Sequence, residues 1–170
     1  MSHSPKIAPY GSWKSPITSD LIVSGSVGLS QPTFDGDNIY WVEMRPTEGG
    51  RNVIVRRDPS GAVTSLTPQP LNARTRVHEY GGGDYIAVNG VVYFSNFVDQ
   101  RVYRQDGTAE PRAITPAEQV RYADYCFDPT RSRLICVRED HRNPDVEAAN
   151  CIVSLDTENN DECGRVLIKG

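Results

Sequence analysis

Residues 38–68, NIYWVEMRPTEGGRNVIVRRDPSGAVTSLTP, decide the fold. Three runs rich in β-branched and aromatic residues, NIYWVEM, NVIVRRD and AVTSL, are separated by Gly49-Gly50 and by Asp58-Pro59-Ser60-Gly61. Runs of this kind, punctuated by Gly, Pro and Asp, read as antiparallel strands joined by tight turns, because those residues accept the backbone angles that a chain reversal needs. The preceding run SQPTF, before Asp35-Gly36, adds a fourth strand. The stretch closes on Leu66-Thr67-Pro68, and Ile114-Thr115-Pro116 repeats that close about 48 residues later. A period of this size matches the blades of a β-propeller. Proline has no N–H to give to a ladder, so it ends an outer strand and starts the crossing to the next blade.

The same grammar recurs downstream. YIAV, VVYFSN, RVYRQ and PRAIT form a second set, with turns at Asn89-Gly90, Asp99-Gln100 and Asp106-Gly107. VRYADYCF, RLICVRE, NCIVSLD and RVLIKG form a third, with turns at Asp128-Pro129 and around Asn159-Asn160. The expected fold is all-β: a partial β-propeller of about three four-stranded antiparallel blades. The blades are expected at about 29–70, 80–118 and 119–170, after an irregular segment over 1–28 that contains Pro5, Pro9 and Pro16. Helical periodicity is weak, and only Pro144 to Asn150 is expected to form a turn or so of helix. Tyr40, Trp41, Tyr93, Phe94, Tyr103, Tyr122, Tyr125 and Phe127 fall in these strands and are expected to pack mostly between blades. Closed propellers have about four to eight blades. An open stack of three leaves two apolar end faces, so the chain is expected either to belong to a longer protein or to complete its ring with other copies.

Composition narrows the function. The chain has 170 residues, 38% hydrophobic and 24% charged, with a net charge of −4. That fits one ordinary domain with a core, and the lack of a basic patch argues against nucleic acid as a partner. No run of about 18 apolar residues is present, and MSHSPKIAPYGSWKSP has no apolar segment of a secretory signal, so no membrane span and a cytoplasmic setting are expected. Cys126, Cys136, Cys151 and Cys163 form no CxxC pair. Reduced thiols are expected, with no metal and no cofactor.

Polar chemistry concentrates in RTRVHEYGGGDY, residues 74–85. In one reading His78, Glu79 and Tyr80 stand at the wall of a central tunnel and touch substrate. In the other, Gly81, Gly82 and Gly83 let backbones approach closely near the axis. The second is preferred, because glycine in a strand more often marks a bulge or close approach than a ligand loop. No Lys-Ser or Lys-Thr follows the glycines, and YIAVNGVVY reads as strand rather than helix, which excludes a nucleotide loop. His141 lies in REDHRNPD. The charges from Arg138 to Arg142, with Asp145 and Glu147, read as a solvated, self-paired loop rather than a calcium or triad site. His3 belongs to a terminus expected to fray. Trp13 and Trp41 are too few for a carbohydrate platform, and Trp41 is expected in the core.

Three motifs in order, APYGSWKSPITSDLIV, LSQPTFDGDNIYWVEMRP and RVHEYGGGDY, resemble the N-terminal part of a prolyl oligopeptidase family (S9) serine peptidase of the dipeptidyl aminopeptidase and acylaminoacyl peptidase branch. The resemblance covers nearly the whole chain. It implies an N-terminal β-propeller that covers a C-terminal α/β-hydrolase domain and restricts the catalytic serine to peptides. It also implies that Glu79 could pair with a peptide's free amine. The hydrolase's nucleophile elbow reads G-x-S-x-G, which these 170 residues do not contain; Gly25-Ser26-Val27-Gly28 lacks the spacing. No catalytic residue is assigned, and this chain alone is expected to be inactive. The partners implied are the hydrolase domain and a peptide substrate. The alternative is a stand-alone interaction module that forms homo-oligomers through its open blade faces.

Overall fold

The computed structural model of the protein describes residues 7–23, 25–158 and 161–170. Pro5, His3 and the expected Asn159-Asn160 turn lie outside them. Twelve strands form three antiparallel four-stranded sheets. The first blade contains β1 (Gly28–Asp35), β2 (Asn38–Arg45), β3 (Arg51–Arg57) and β4 (Val63–Ser65). The second contains β5 (Tyr85–Val88), β6 (Val91–Ser95), β7 (Val102–Asp106) and β8 (Arg112–Ala113). The third contains β9 (Val120–Asp128), β10 (Arg133–Asp140), β11 (Ala149–Asp156) and β12 (Arg165–Lys169). In each blade the strands pair in chain order. The first strands pack side by side, β5 against β1 on one side and β9 on the other, as in a propeller whose innermost strands surround an axis.

Two apolar cores lie between the blades. Tyr40, Val42 and Ile54 of the first blade meet Tyr85, Val92 and Phe94 of the second. On the other side of the second blade, Tyr93 and Val102 meet Tyr122, Leu134 and Leu155 of the third. The alternation that identifies the strands also sorts their faces: in β10, Leu134 and Cys136 are buried while Arg133, Ile135 and Val137 are partly exposed. Asn89 and Gly90 both take positive φ, 53° and 76°, and turn β5 directly into β6, as a two-residue hairpin requires.

Three expectations need correction. Trp41 is only half buried, on the outward face of the first blade, where its indole N–H donates to Glu43 at 3.1 Å. It faces away from the core because Tyr40 and Val42, one residue to either side, point inward. Residues 144–150 form no helix: Pro144 and Asp145 make a turn, and Ala149 already begins β11. The third concerns Arg138 and Glu139, which are buried inside the fold rather than in a solvated loop. A short helix, α1 (Ser19–Val23), lies in the N-terminal segment, with the Leu21 N–H donating to the Thr18 hydroxyl at 3.1 Å.

The repeated Leu66-Thr67-Pro68 and Ile114-Thr115-Pro116 have a common structural cause. The Leu66 N–H donates to the Ile54 carbonyl and the Ile114 N–H to the Val102 carbonyl, each at 2.8 Å, so both residues extend the outer pairing by one step. The chain then leaves the sheet, and the threonine hydroxyl takes the place of the departing carbonyl. Thr67 Oγ1 accepts from the Ile54 N–H at 3.1 Å, and Thr115 Oγ1 accepts from the Val102 N–H at 3.0 Å. Both threonines are buried, so these hydroxyls satisfy N–H groups that water does not reach. Replacing either by the isosteric valine, Thr67→Val or Thr115→Val, is expected to cost about 1–3 kcal/mol by stranding a buried donor, and serine less than valine. Urea denaturation measures it, and equal stability of the threonine and valine proteins contradicts the role.

Candidate functional site

The stretch 74–85 leads into β5, the innermost strand of the middle blade. Its first part is a turn in which His78 and Glu79 both adopt left-handed backbone conformations, φ 55° and 61°. Such conformations disfavour side chains bearing a Cβ, so something must hold them. Glu139, at the end of β10 in the next blade, does so. Its carboxylate accepts the His78 N–H at 2.9 Å and lies 2.9 Å from His141 Nε2 and 3.5 Å from Arg121 Nη1. Arg121, at the start of β9, also donates to the Arg76 carbonyl at 2.9 Å and to Glu79 at 2.8 Å. That hydrogen bond, with the charge behind it, holds the Glu79 carboxyl below its ordinary range.

Of the three residues singled out by sequence, His78 and Glu79 enter this charge network, while Tyr80 is fully exposed. His141 also belongs to it, although its loop position favours a solvated turn. Arg121 and Glu139 complete the network and were not among the candidates. The strand phase of Leu134 and Cys136 carries Arg138 to the buried face, and the pairing Glu139↔Arg121 across β10 and β9 brings those two together. Charge pairing of the kind expected does occur in the cluster, between Arg138, Arg142 and Asp140. It pulls the Asp140 carboxyl down to about 2, chiefly through Arg142.

The second part of the stretch, Gly82-Gly83-Asp84, is gripped from both neighbouring blades. On one side Asp124 of β9 accepts the Gly83 N–H at 2.7 Å and donates its own N–H to the Gly83 carbonyl at 2.9 Å. A Cβ on Gly82 would stand 3.0 Å from the Ala123 Cβ and from both Asp124 carboxylate oxygens, so this approach needs glycine. On the other side Gln31 of β1 accepts the Asp84 N–H at 2.9 Å and donates to the Asp84 carboxylate at 2.5 Å. Gln31 and Asp124 occupy equivalent places. Each lies at a bulge in an innermost strand, with φ 51° and 59°. Asp84 is itself buried, accepts the Thr75 N–H at 2.7 Å, and has its pKa raised by burial.

A cleft of about 390 Å³ opens beside the turn between the second and third blades, lined by Arg76, Val98, Gln100, Val120, Arg121 and His141 among others. A second cavity of about 400 Å³ lies at the opposite end of the third blade, where Arg131 and Arg133 already pair with Asp128. Among the described residues no group of three or more His, Cys, Asp or Glu is placed to hold a metal ion, and all four cysteines are free thiols. No described helix is long and apolar enough to cross a membrane.

Three radially placed four-stranded blades define a partial β-propeller. No family model matches the chain, and no curated protein does. Among solved structures, a puromycin-hydrolysing peptidase of Mycobacterium tuberculosis matches 96% of this chain at 36% identity and a TM-score of 0.81. A puromycin hydrolase, solved also as a variant in complex with PGG, matches 88% at 34% identity and a TM-score of 0.75. The chain spans about a quarter of their length, 27% and 25%. A structure in a nidogen–laminin complex, at 16% identity and a TM-score of 0.52, shares the fold alone. In fold and in sequence the chain corresponds to a propeller region of the S9 peptidases, as its three motifs suggested.

The burial of Asp84 has a testable sign. Its folded pKa is raised, so its contribution to stability is fully present below the unfolded value of about 3.9 and is lost as pH rises through the folded value. The stability of the wild type minus that of Asp84→Asn, followed by urea melts, is expected to fall as pH rises from about 4. A difference that grows with pH contradicts the placement of Asp84.

Proposed function

We propose that this chain is the propeller portion of an S9-type peptidase, that it gates and selects peptide substrates for an α/β-hydrolase domain, and that His78, Glu79 and Tyr80 are where the substrate meets it. The observation that supports this reading is the turn itself. Two non-glycine residues are held in left-handed conformations that cost about 1–2 kcal/mol each, and the turn presents Tyr80 and Glu79 to solvent, Glu79 bonded to Arg121, which lines an inter-blade cleft. Strain of this kind persists where neighbouring contacts over-determine it, and it concentrates at binding sites. Glu79 and Glu139 share the one guanidinium of Arg121, an arrangement suited to the free amine of a peptide. Gly81, Gly82 and Gly83 have the backbone role: they let the lead-in to β5 run against the third blade. The four thiols stay reduced in this reading, in a cytoplasmic setting.

Two assays test it. The chain by itself is expected not to turn over chromogenic aminoacyl or dipeptidyl substrates, and turnover that a serine-reactive fluorophosphonate blocks contradicts the assignment. In the intact peptidase, Glu79→Gln is expected to raise KM for substrates with a free amine about tenfold, as loss of one charged hydrogen bond implies. The kcat and the hydrolysis of N-acetylated substrates should change little. An unchanged KM removes Glu79 from the substrate wall.

A second reading is supported by the exposed apolar side chains of the two end faces, Leu29, Phe34 and Ile39 on the first blade and Ile152 and Ile168 on the third. These suit a module that associates with itself. Light scattering at tens of micromolar separates the two: a defined dimer favours self-association, a strict monomer the first reading.

A further inference from the structure

The crossover segment carries a feature that the substrate turn does not use. Arg74 and Arg76, two residues apart on an extended stretch, both place their guanidinium groups over the ring of Phe97, at 5.0 and 4.3 Å from its centroid. The backbone beneath them is fixed. The Arg74 N–H donates to the Ser95 carbonyl at 2.9 Å, the Arg76 N–H to Gln100 Oε1 at 2.8 Å, and the Phe97 N–H to the Asn72 carbonyl at 2.8 Å. Both arginines are exposed, and among the described residues neither guanidinium forms an ion pair. Each is a planar cation whose face is taken by an aromatic ring and whose edge donors remain available. Arg76 lines the cleft between the second and third blades.

The acids of the cleft do not neutralise it. Asp99 is consumed internally, accepting from Asn96 at 2.9 Å, the Arg101 N–H at 3.2 Å and the Tyr103 hydroxyl at 2.8 Å. Glu118 is exposed and forms no ion pair with Arg76 among the described residues. Nearby backbone N–H groups are also engaged: those of Arg76, His78, Gln100, Arg101 and His141 all have acceptors. A tetrahedral phosphate usually draws on converging backbone donors, and the N–H groups of Arg76 and Gln100 are already taken. The free edge of the Arg76 guanidinium matches the two coplanar oxygens of a carboxylate.

We infer that the cleft beside the Arg74–Phe97–Arg76 stack is a recognition site for a carboxylate on a peptide, either the C-terminal carboxylate or an acidic side chain. The site adjoins the proposed amine contact, since Arg76 also acts on the Glu79 carboxylate, but the inference does not depend on that contact. The experiment removes the amine from every probe. The intact protein is titrated calorimetrically with N-acetyl-trialanine, with its C-terminal amide, and with the amide of N-acetyl-Ala-Ala-Glu. The free acid is expected to bind at least about tenfold more tightly than the amide, as a bidentate charged pair implies. The Glu-containing amide shows whether a side-chain carboxylate serves as well: binding only by the free acid assigns the C-terminus, and binding by both assigns the carboxylate in general. Arg76→Gln is expected to abolish the preference and Phe97→Leu to weaken it several-fold by releasing the stacked guanidinium. Equal binding of acid and amide overturns the inference, as does a preference that survives Arg76→Gln in a folded protein. Displacement of the peptide by inorganic phosphate at equal concentration overturns the choice of carboxylate.

Discussion

The three blades meet at two backbone amides. Gly83 and Asp84 sit at the entrance to the middle blade, and each N–H is satisfied by a side chain from a different neighbour, Asp124 on one side and Gln31 on the other. A buried or crowded amide without a partner costs as much as a lost hydrogen bond or more. The lead-in to β5 can therefore lie near the axis only if both neighbouring innermost strands bulge toward it. The bulges supply the reach and Gly82 the room. This clasp orients the middle blade, and the strained turn at His78 and Glu79 follows from it, since the turn is anchored at its far end by the clasp and at its near end by Glu139 of the third blade.

The outer edges of the blades are held by a separate device. Where β4 and β8 end, the chain must leave the sheet without exposing the N–H groups of β3 and β7. The Leu/Ile-Thr-Pro sequence solves this with one apolar residue to bury, one hydroxyl to stand in for a carbonyl and one proline with no N–H to satisfy. Gln105 then ties the first crossing to the second blade by donating to the Leu66 carbonyl at 2.9 Å. On the opposite face Asp35 accepts the N–H groups of Asn89 and Gly90 at 2.9 and 2.6 Å, locking the first blade to the hairpin turn of the second. Contacts of this kind share the load between blades, while the apolar cores between the sheets supply most of the burial.

All twelve strands were legible in the sequence, because alternation and turn residues are local signals. The repeat at Leu66 and Ile114 was legible for the same reason, since its three residues are adjacent. The clasp was not. Gln31 and Asp124 carry no compositional mark of a bulge, and positive φ at such residues is uncommon. Their partners lie more than forty residues away in the chain. Sequence pointed to the glycines of the 74–85 stretch but passed over Asp84, which makes the longer-range contacts. The network at the turn was half legible. His78 and Glu79 stood out as polar residues beside glycine, whereas Arg121 carried no mark and Glu139 fell in a charge run that reads as a solvated loop; pairing between β9 and β10 sets the two side by side.

Amide hydrogen exchange at Gly83 and Asp84 tests the clasp most directly. Both lie outside the regular ladders, in a stretch that is neither strand nor helix. If the two bulges hold them as described, their amides exchange only through global unfolding, as slowly as those of Ile54 and Val102 within the sheets. Exchange at rates typical of exposed turns, with the sheets still protected, would show that the blades are not joined at this point.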